Sequence, residues 1–131
     1  MKIAVMNTSH EVTEMVKAIF EDAGFETCDI FTYQLKYGET TFDEFLEENK
    51  PDVILYDIAI PYEENYMLFL ALAKNMAVRK IPFILTTTNK KALEELVGDT
   101  NAYEIIGKPY DLDVLVKLTK RAIKNKKALI A

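Results

Sequence analysis

The chain has 131 residues, half of them hydrophobic and 28% charged, a size and balance for one domain with a real core and no room for a second. Lys and Arg number 16 against 21 Asp and Glu, a formal net charge of −5. That balance counts against a nucleic-acid binder, whose affinity comes from neutralised phosphates. Cys28 is the only cysteine, so an internal disulfide and a cysteine-based zinc site are excluded. The opening MKIAVMNTSHEV lacks a signal-peptide apolar run, and no stretch nears about 18 consecutive apolar residues. The expectation is a soluble, cytoplasmic single domain over 1–131, with no membrane contact and no output domain.

The first apolar run, IAVM at 3–6, is short and does not alternate, the mark of a strand buried on both faces. Behind it Val12, Met15, Val16, Ile19 and Phe20 form one stripe and predict a helix over 9–23. Thr8 and Glu11 have capping-box spacing at its start, and Gly24 is placed to end it. Residues 25–31 supply a weaker, edge strand. A loop over 32–40 carries Tyr33 and Tyr37, near Phe31 and Phe42. Thr41 and Glu44 repeat the capping-box spacing, and Phe42, Phe45 and Leu46 share a face of the next helix, which Pro51 stops. VILYDIAI at 53–60 is a second buried strand. Segment 65–77 is apolar nearly all round (Met67, Leu68, Phe69, Leu70, Leu72, Met76) and predicts a well-buried helix. IPFIL at 81–85 is another strand. Asn89 can cap a helix over 90–97, with Ala92, Leu93, Leu96 and Val97 inward and Gly98 as its stop. AYEII at 102–106 is a weaker strand. Asp111 can cap the last helix, striped by Leu115, Leu118, Ala122 and Ile123. Strand and helix alternate five times, which predicts an α/β fold with a doubly wound parallel sheet.

In such a sheet, ligands bind outside the carboxyl ends of the strands. The sequence places Asn7, Thr8, Ser9 and His10 there, with Asp57, the triplet Thr86, Thr87 and Thr88, and Gly107-Lys108-Pro109. A carboxylate, a hydroxyl and an ammonium converging from three strands suit a phosphoryl group carried on a carboxylate.

The segments PDVILYDIAIP at 51–61, IPFILTTT at 81–88 and GKPYDLDVL at 107–115, with their mutual spacing, resemble the receiver domain of bacterial two-component response regulators. The resemblance covers essentially the whole chain. It implies a flavodoxin-like (βα)5 fold with five parallel strands in the order 2-1-3-4-5, and a role in phosphorelay signal transduction. It implies that Asp57 is the phosphoacceptor, Thr87 the hydroxyl that closes on the phosphoryl group, and Lys108 its salt-bridge partner. A cis peptide at Lys108–Pro109 is also implied. The implied partners are a sensor histidine kinase or phosphotransfer protein, and a protein docking on residues 90–98, 102–106 and 111–124. A homodimer is compatible with the same reading.

The departures matter as much. Receivers carry two adjacent acids after the first strand that hold Mg²⁺; here those positions are Asn7 and Thr8. Asp57 and Asn7 are left as metal candidates, the latter through its amide oxygen and a bound water. Mg²⁺ affinity should drop sharply, since this cation wants anionic oxygens. Glu11, Glu63 and Glu64 are alternative carboxylates, against a plain reading as a helix cap and solvated loop charges. Thr88 stands at a small-residue position and would narrow access to Asp57. Ile105 stands at the aromatic switch position, with Tyr103 two residues earlier on the same face. The 32–40 loop is longer than the family's.

Two functions follow: a receiver that still accepts phosphate on Asp57, or a phosphorylation-independent scaffold. Enzyme readings fare worse. NTSHEVT has no glycine for a flavin-phosphate loop, and no GxGxxG or Walker loop occurs. Ala59 replaces the second Asp that a haloacid-dehalogenase-type phosphatase needs. His10 reads as a surface residue, Cys28 as a small buried apolar one, and the basic run from Lys120 to Lys127 as a solvated final turn.

Overall fold

The computed structural model describes residues 1–97, 105–107 and 111–130. Strands β1 (Lys2–Asn7), β2 (Glu26–Phe31), β3 (Val53–Ile58), β4 (Phe83–Thr87) and β5 (Ile105–Gly107) lie side by side in the order β2-β1-β3-β4-β5. All pairings are parallel, and β5 adds only three residues at the edge beside β4. Helices α1 (His10–Asp22), α2 (Thr32–Lys36), α3 (Phe42–Asn49), α4 (Tyr62–Val78), α5 (Lys90–Val97) and α6 (Leu112–Ile130) alternate with them.

The alternation of side chains along each strand builds two cores. Ile3, Val5, Val53, Leu55 and Ile84 face α1 and α6, where they meet Val16, Phe20, Leu115, Ala122 and Ile123. Ala4, Met6, Ile54, Tyr56, Phe83 and Leu85 face the opposite layer and meet Phe45 and Leu46 of α3, Phe69 and Met76 of α4, and Leu93 of α5. Both faces of the central strands are therefore dry, which is why these strands read as continuous apolar runs. Buried Thr13 and Thr119 satisfy their hydroxyls on the carbonyls of Ser9 and Leu115 one turn back.

Local signals set most boundaries. Thr41 caps α3 by accepting the Glu44 N–H, and Asn89 and Asp111 accept from the first turns of α5 and α6. Gly24 leaves α1 at φ +94, a backbone conformation that favours glycine. Five expectations need correction. The cap of α1 is Ser9, which accepts the Val12 N–H at 3.2 Å, and not Thr8. Met15 is exposed, because its position lies beyond the edge of the buried stripe of Val16 and Phe20. The 32–40 loop holds the five-residue helix α2, started by the Gln34 side chain accepting the Phe31 N–H at 2.9 Å. Finally, α4 starts at Tyr62 and is not buried all round, and Leu96 of α5 is also exposed, since each helix meets the sheet on one side only. The expected stop at Gly98 lies outside the described residues, as does the Lys108–Pro109 bond; the cis peptide seen is Ile60–Pro61.

Tyr56 lies 1% exposed between the sheet and α4, edge-on to Phe69 at 5.2 Å. Its hydroxyl is the one buried side-chain polar atom without a hydrogen bond among the described residues. Burial, reinforced by the neighbouring Asp57 charge, pushes its ionisation far above the ordinary tyrosine range. An unmade buried hydrogen bond costs about 1–3 kcal/mol. Tyr56→Phe should therefore leave stability unchanged or raise it by about 1 kcal/mol in urea unfolding; a loss of that size would reveal a hidden partner.

Cys28 is half-buried under the β1–β2 pair, its Sγ 3.7 Å from the Ile3 carbonyl, and burial pushes its thiol up to about 11. Since the thiolate is the reactive species, the folded chain should alkylate slowly at pH 8 and accelerate only as pH nears that value. Iodoacetamide labelling followed by mass should show the denatured chain reacting much faster at pH 8.

Candidate functional site

Because β1 pairs with β2 on one side and β3 on the other, the chain reverses its winding between β1 and β3, and in sheets of this kind ligands bind at the carboxyl ends of that switch point. Met6 is in register with Tyr56, so the next residues, Asn7 and Asp57, come side by side at that edge. Asp57 is in turn in register with Thr86. Asp57 is 5% exposed and Asn7 is equally buried. A carboxylate this buried requires hydrogen bonds. One comes from Thr86, whose Oγ1 donates to Asp57 Oδ1 at 2.7 Å, and Asp57 has a further partner besides.

Thr86 is thus the hydroxyl in contact with Asp57, whereas Thr87, singled out by the sequence, is buried and its Oγ1 accepts the Asn89 N–H at 3.3 Å. Choosing between the two needs the strand register, which no local pattern carries: residues paired across parallel strands share a face. Lys108 lies outside the described residues.

A further contact ties two loops at this edge. Thr88 Oγ1 and the Tyr62 phenol share a hydrogen bond of 2.6 Å, joining the end of β4 to the start of α4. The β3–α4 turn is pinned by Asn65, which donates to the Ala59 carbonyl at 2.7 Å. On the other flank, the His10 ring stacks on Phe31 at 3.8 Å, and His10 Nε2 lies 3.1 Å from the Tyr33 hydroxyl. The aromatics of 31–42 divide accordingly: Phe31 and Tyr33 stack with His10, Phe42 enters the core, and Tyr37 stays exposed.

The residues at the first strand's end do not fit a divalent cation. Asn7 Oδ1 accepts the N–H of Thr8 at 2.7 Å and that of Ser9 at 2.9 Å. These two bonds use both lone pairs of the amide oxygen, which leaves none for a metal-bound water in this arrangement. The amide instead starts an Asx turn that leads into the Ser9 cap. Thr8 and Glu11 are exposed, and no cluster of three acidic, His or Cys side chains occurs among the described residues.

No family model matches the chain. Among curated proteins, it is 23% identical over 118 residues to response regulator Rre1 of Synechocystis, covering 89% of this chain and 49% of that one. The chain spans between 33% and 59% of the length of the curated relatives it matches. Among solved structures, it superposes on the signal receiver domain of a signal transduction histidine kinase from Syntrophus aciditrophicus with TM-score 0.72 and 26% identity, over 95% of this chain and 90% of that one. A response regulator receiver domain from Clostridium thermocellum matches over 98% of both chains with TM-score 0.73 and 20% identity. The α/β order and these relatives show that the chain has the fold of response-regulator receiver domains and is similar to them over nearly its whole length.

Proposed function

We propose that this chain acts as a receiver in phosphorelay signal transduction, with Asp57 as its phosphoacceptor, and that it does so as an atypical member whose transfer step depends little on a metal ion. The observation that supports this reading is the buried Asp57–Thr86 pair at the carboxyl edge of the sheet. The Thr86 hydroxyl fixes the rotation of the carboxylate and directs it at an incoming phosphoryl group. The donor is a phosphohistidine of a sensor kinase or phosphotransfer protein. A carboxylate oxygen attacks phosphorus, the P–N bond breaks as the P–O bond forms, and the departing imidazole nitrogen takes a proton from solvent. Lys108 is the proposed cation that offsets the added charge. Small-molecule turnover has no place in this reading, and output passes to a protein docked on residues 90–98, 102–106 and 111–124.

A second reading, a phosphorylation-independent scaffold, draws support from two contacts: the committed Asn7 oxygen and the Tyr62–Thr88 bridge at the same edge. Incubation with acetyl phosphate, read by intact mass, separates the two. The phosphorelay reading expects one phosphoryl adduct on the wild-type chain, none on Asp57→Asn, and a yield that changes little when Mg²⁺ is removed. Absence of the adduct, also with a phosphohistidine donor, leaves the scaffold.

The metal deficit is testable separately. Asn7→Asp with Thr8→Asp restores two carboxylates beside Asp57, and Mg²⁺ affinity by calorimetric titration should rise at least about tenfold. Equal affinity in the parent would show that other side chains already ligate the ion.

A further inference from the structure

Helix α4 has a second apolar side that the fold leaves in solvent. Met67 is 61% exposed, Leu70 41% and Val78 83%. At 3.6 residues per turn these three share one face with Glu63, Glu64 and Lys74, opposite the buried Phe69, Leu72 and Met76. Beside the N-terminal half of this face runs an open groove of about 910 Å³, with Lys36 and Pro61 on its walls and Met67 and Leu68 in its lining. Charge is segregated along the stripe: acids begin it, apolar residues hold the centre, and Lys74 follows. Among the described residues, none forms an ion pair with Glu63, Glu64 or Lys74.

We propose that this face is the two-fold contact of a homodimer, in which α4 of a second copy packs antiparallel across it. A two-fold interface must be complementary to itself. A stripe running from acid to base meets that condition only when reversed: a parallel copy would set like charges together, and an antiparallel copy sets Lys74 beside the partner's Glu63 and Glu64. With the axis between Met67 and Ala71, Met67 packs on the partner's Ala71, and Val78 reaches the partner's groove at Pro61. The contact uses neither Asp57 nor residues 90–98 and 111–124, so it stands whichever reading of the phosphoacceptor holds.

The test is sedimentation of the full chain with charge-reversed variants. All changed positions are exposed, and circular dichroism confirms that each variant is folded. The wild type should form a dimer that dissociates on dilution in the range of about 1–100 μM. Lys74→Glu, and separately Glu63→Lys with Glu64→Lys, should each weaken it at least about tenfold, as should Met67→Asp. Mixing the two charge-reversed chains should restore a dimer containing one of each. A wild type that stays monomeric at about 1 mM, a dimer unaffected by either reversal, or a mixture that fails to pair overturns the proposal.

Discussion

The Asp57–Thr86 hydrogen bond depends on a single constraint: a parallel sheet covered on both faces meets water only at its ends. Polar side chains in the middle of β1, β3 or β4 would be stranded, and these strands accordingly hold apolar residues until their last positions. Asn7, Asp57, Thr86 and Thr87 are buried polar groups gathered at one carboxyl edge. There the strand ladder can align them, at the switch point where sheets of this kind bind ligands. The register that matches Asp57 with Thr86 is the same one that interdigitates the two cores. A one-residue slip of β4 would remove the hydroxyl from the carboxylate and turn Phe83 and Leu85 to the wrong face.

How much of this was legible in the sequence varies with the range of the interaction. Helix starts at Thr41, Asn89 and Asp111 are local hydrogen bonds over two or three residues, so spacing alone finds them. Doubly wound packing was legible because apolar strands without alternation have few other homes. Asp57 was legible by its place at the end of such a strand. What escaped was contact between residues distant in sequence: Thr86 bonded to the Asp57 carboxylate, Tyr62 reaching Thr88, and His10 stacked on Phe31. Helix α2 escaped because its start is made by a glutamine reaching back to a phenylalanine N–H, and not by a cap residue with a known signature.

Replacing a carboxylate by an amide at the end of β1 changes more than one charge. The amide oxygen is fully engaged by two backbone N–H groups that lead into α1, so its chemistry is turned toward helix initiation. A carboxylate in that position would have four lone-pair sites and a negative charge left to share. Asn7 has neither. The Asn7 oxygen thus serves the β1–α1 turn, and beside it Asp57 is held by the Thr86 hydroxyl.

Helix α4 makes the same point about what a pattern can carry. A helix apolar on all sides reads as buried, but burial requires a cover on each side, and this fold covers α4 on the side of Phe69, Leu72 and Met76, with Tyr66, Leu68 and Ala73 partly buried beside them. Residues such as Met67 and Val78 contribute nothing to the core, and water contact with them is a cost with no return inside one chain. The apolar pattern is therefore information about something outside the chain. The order of Glu63, Glu64 and Lys74 along the same face then narrows what that is, because a surface that is its own complement in reverse is best covered by a copy of itself.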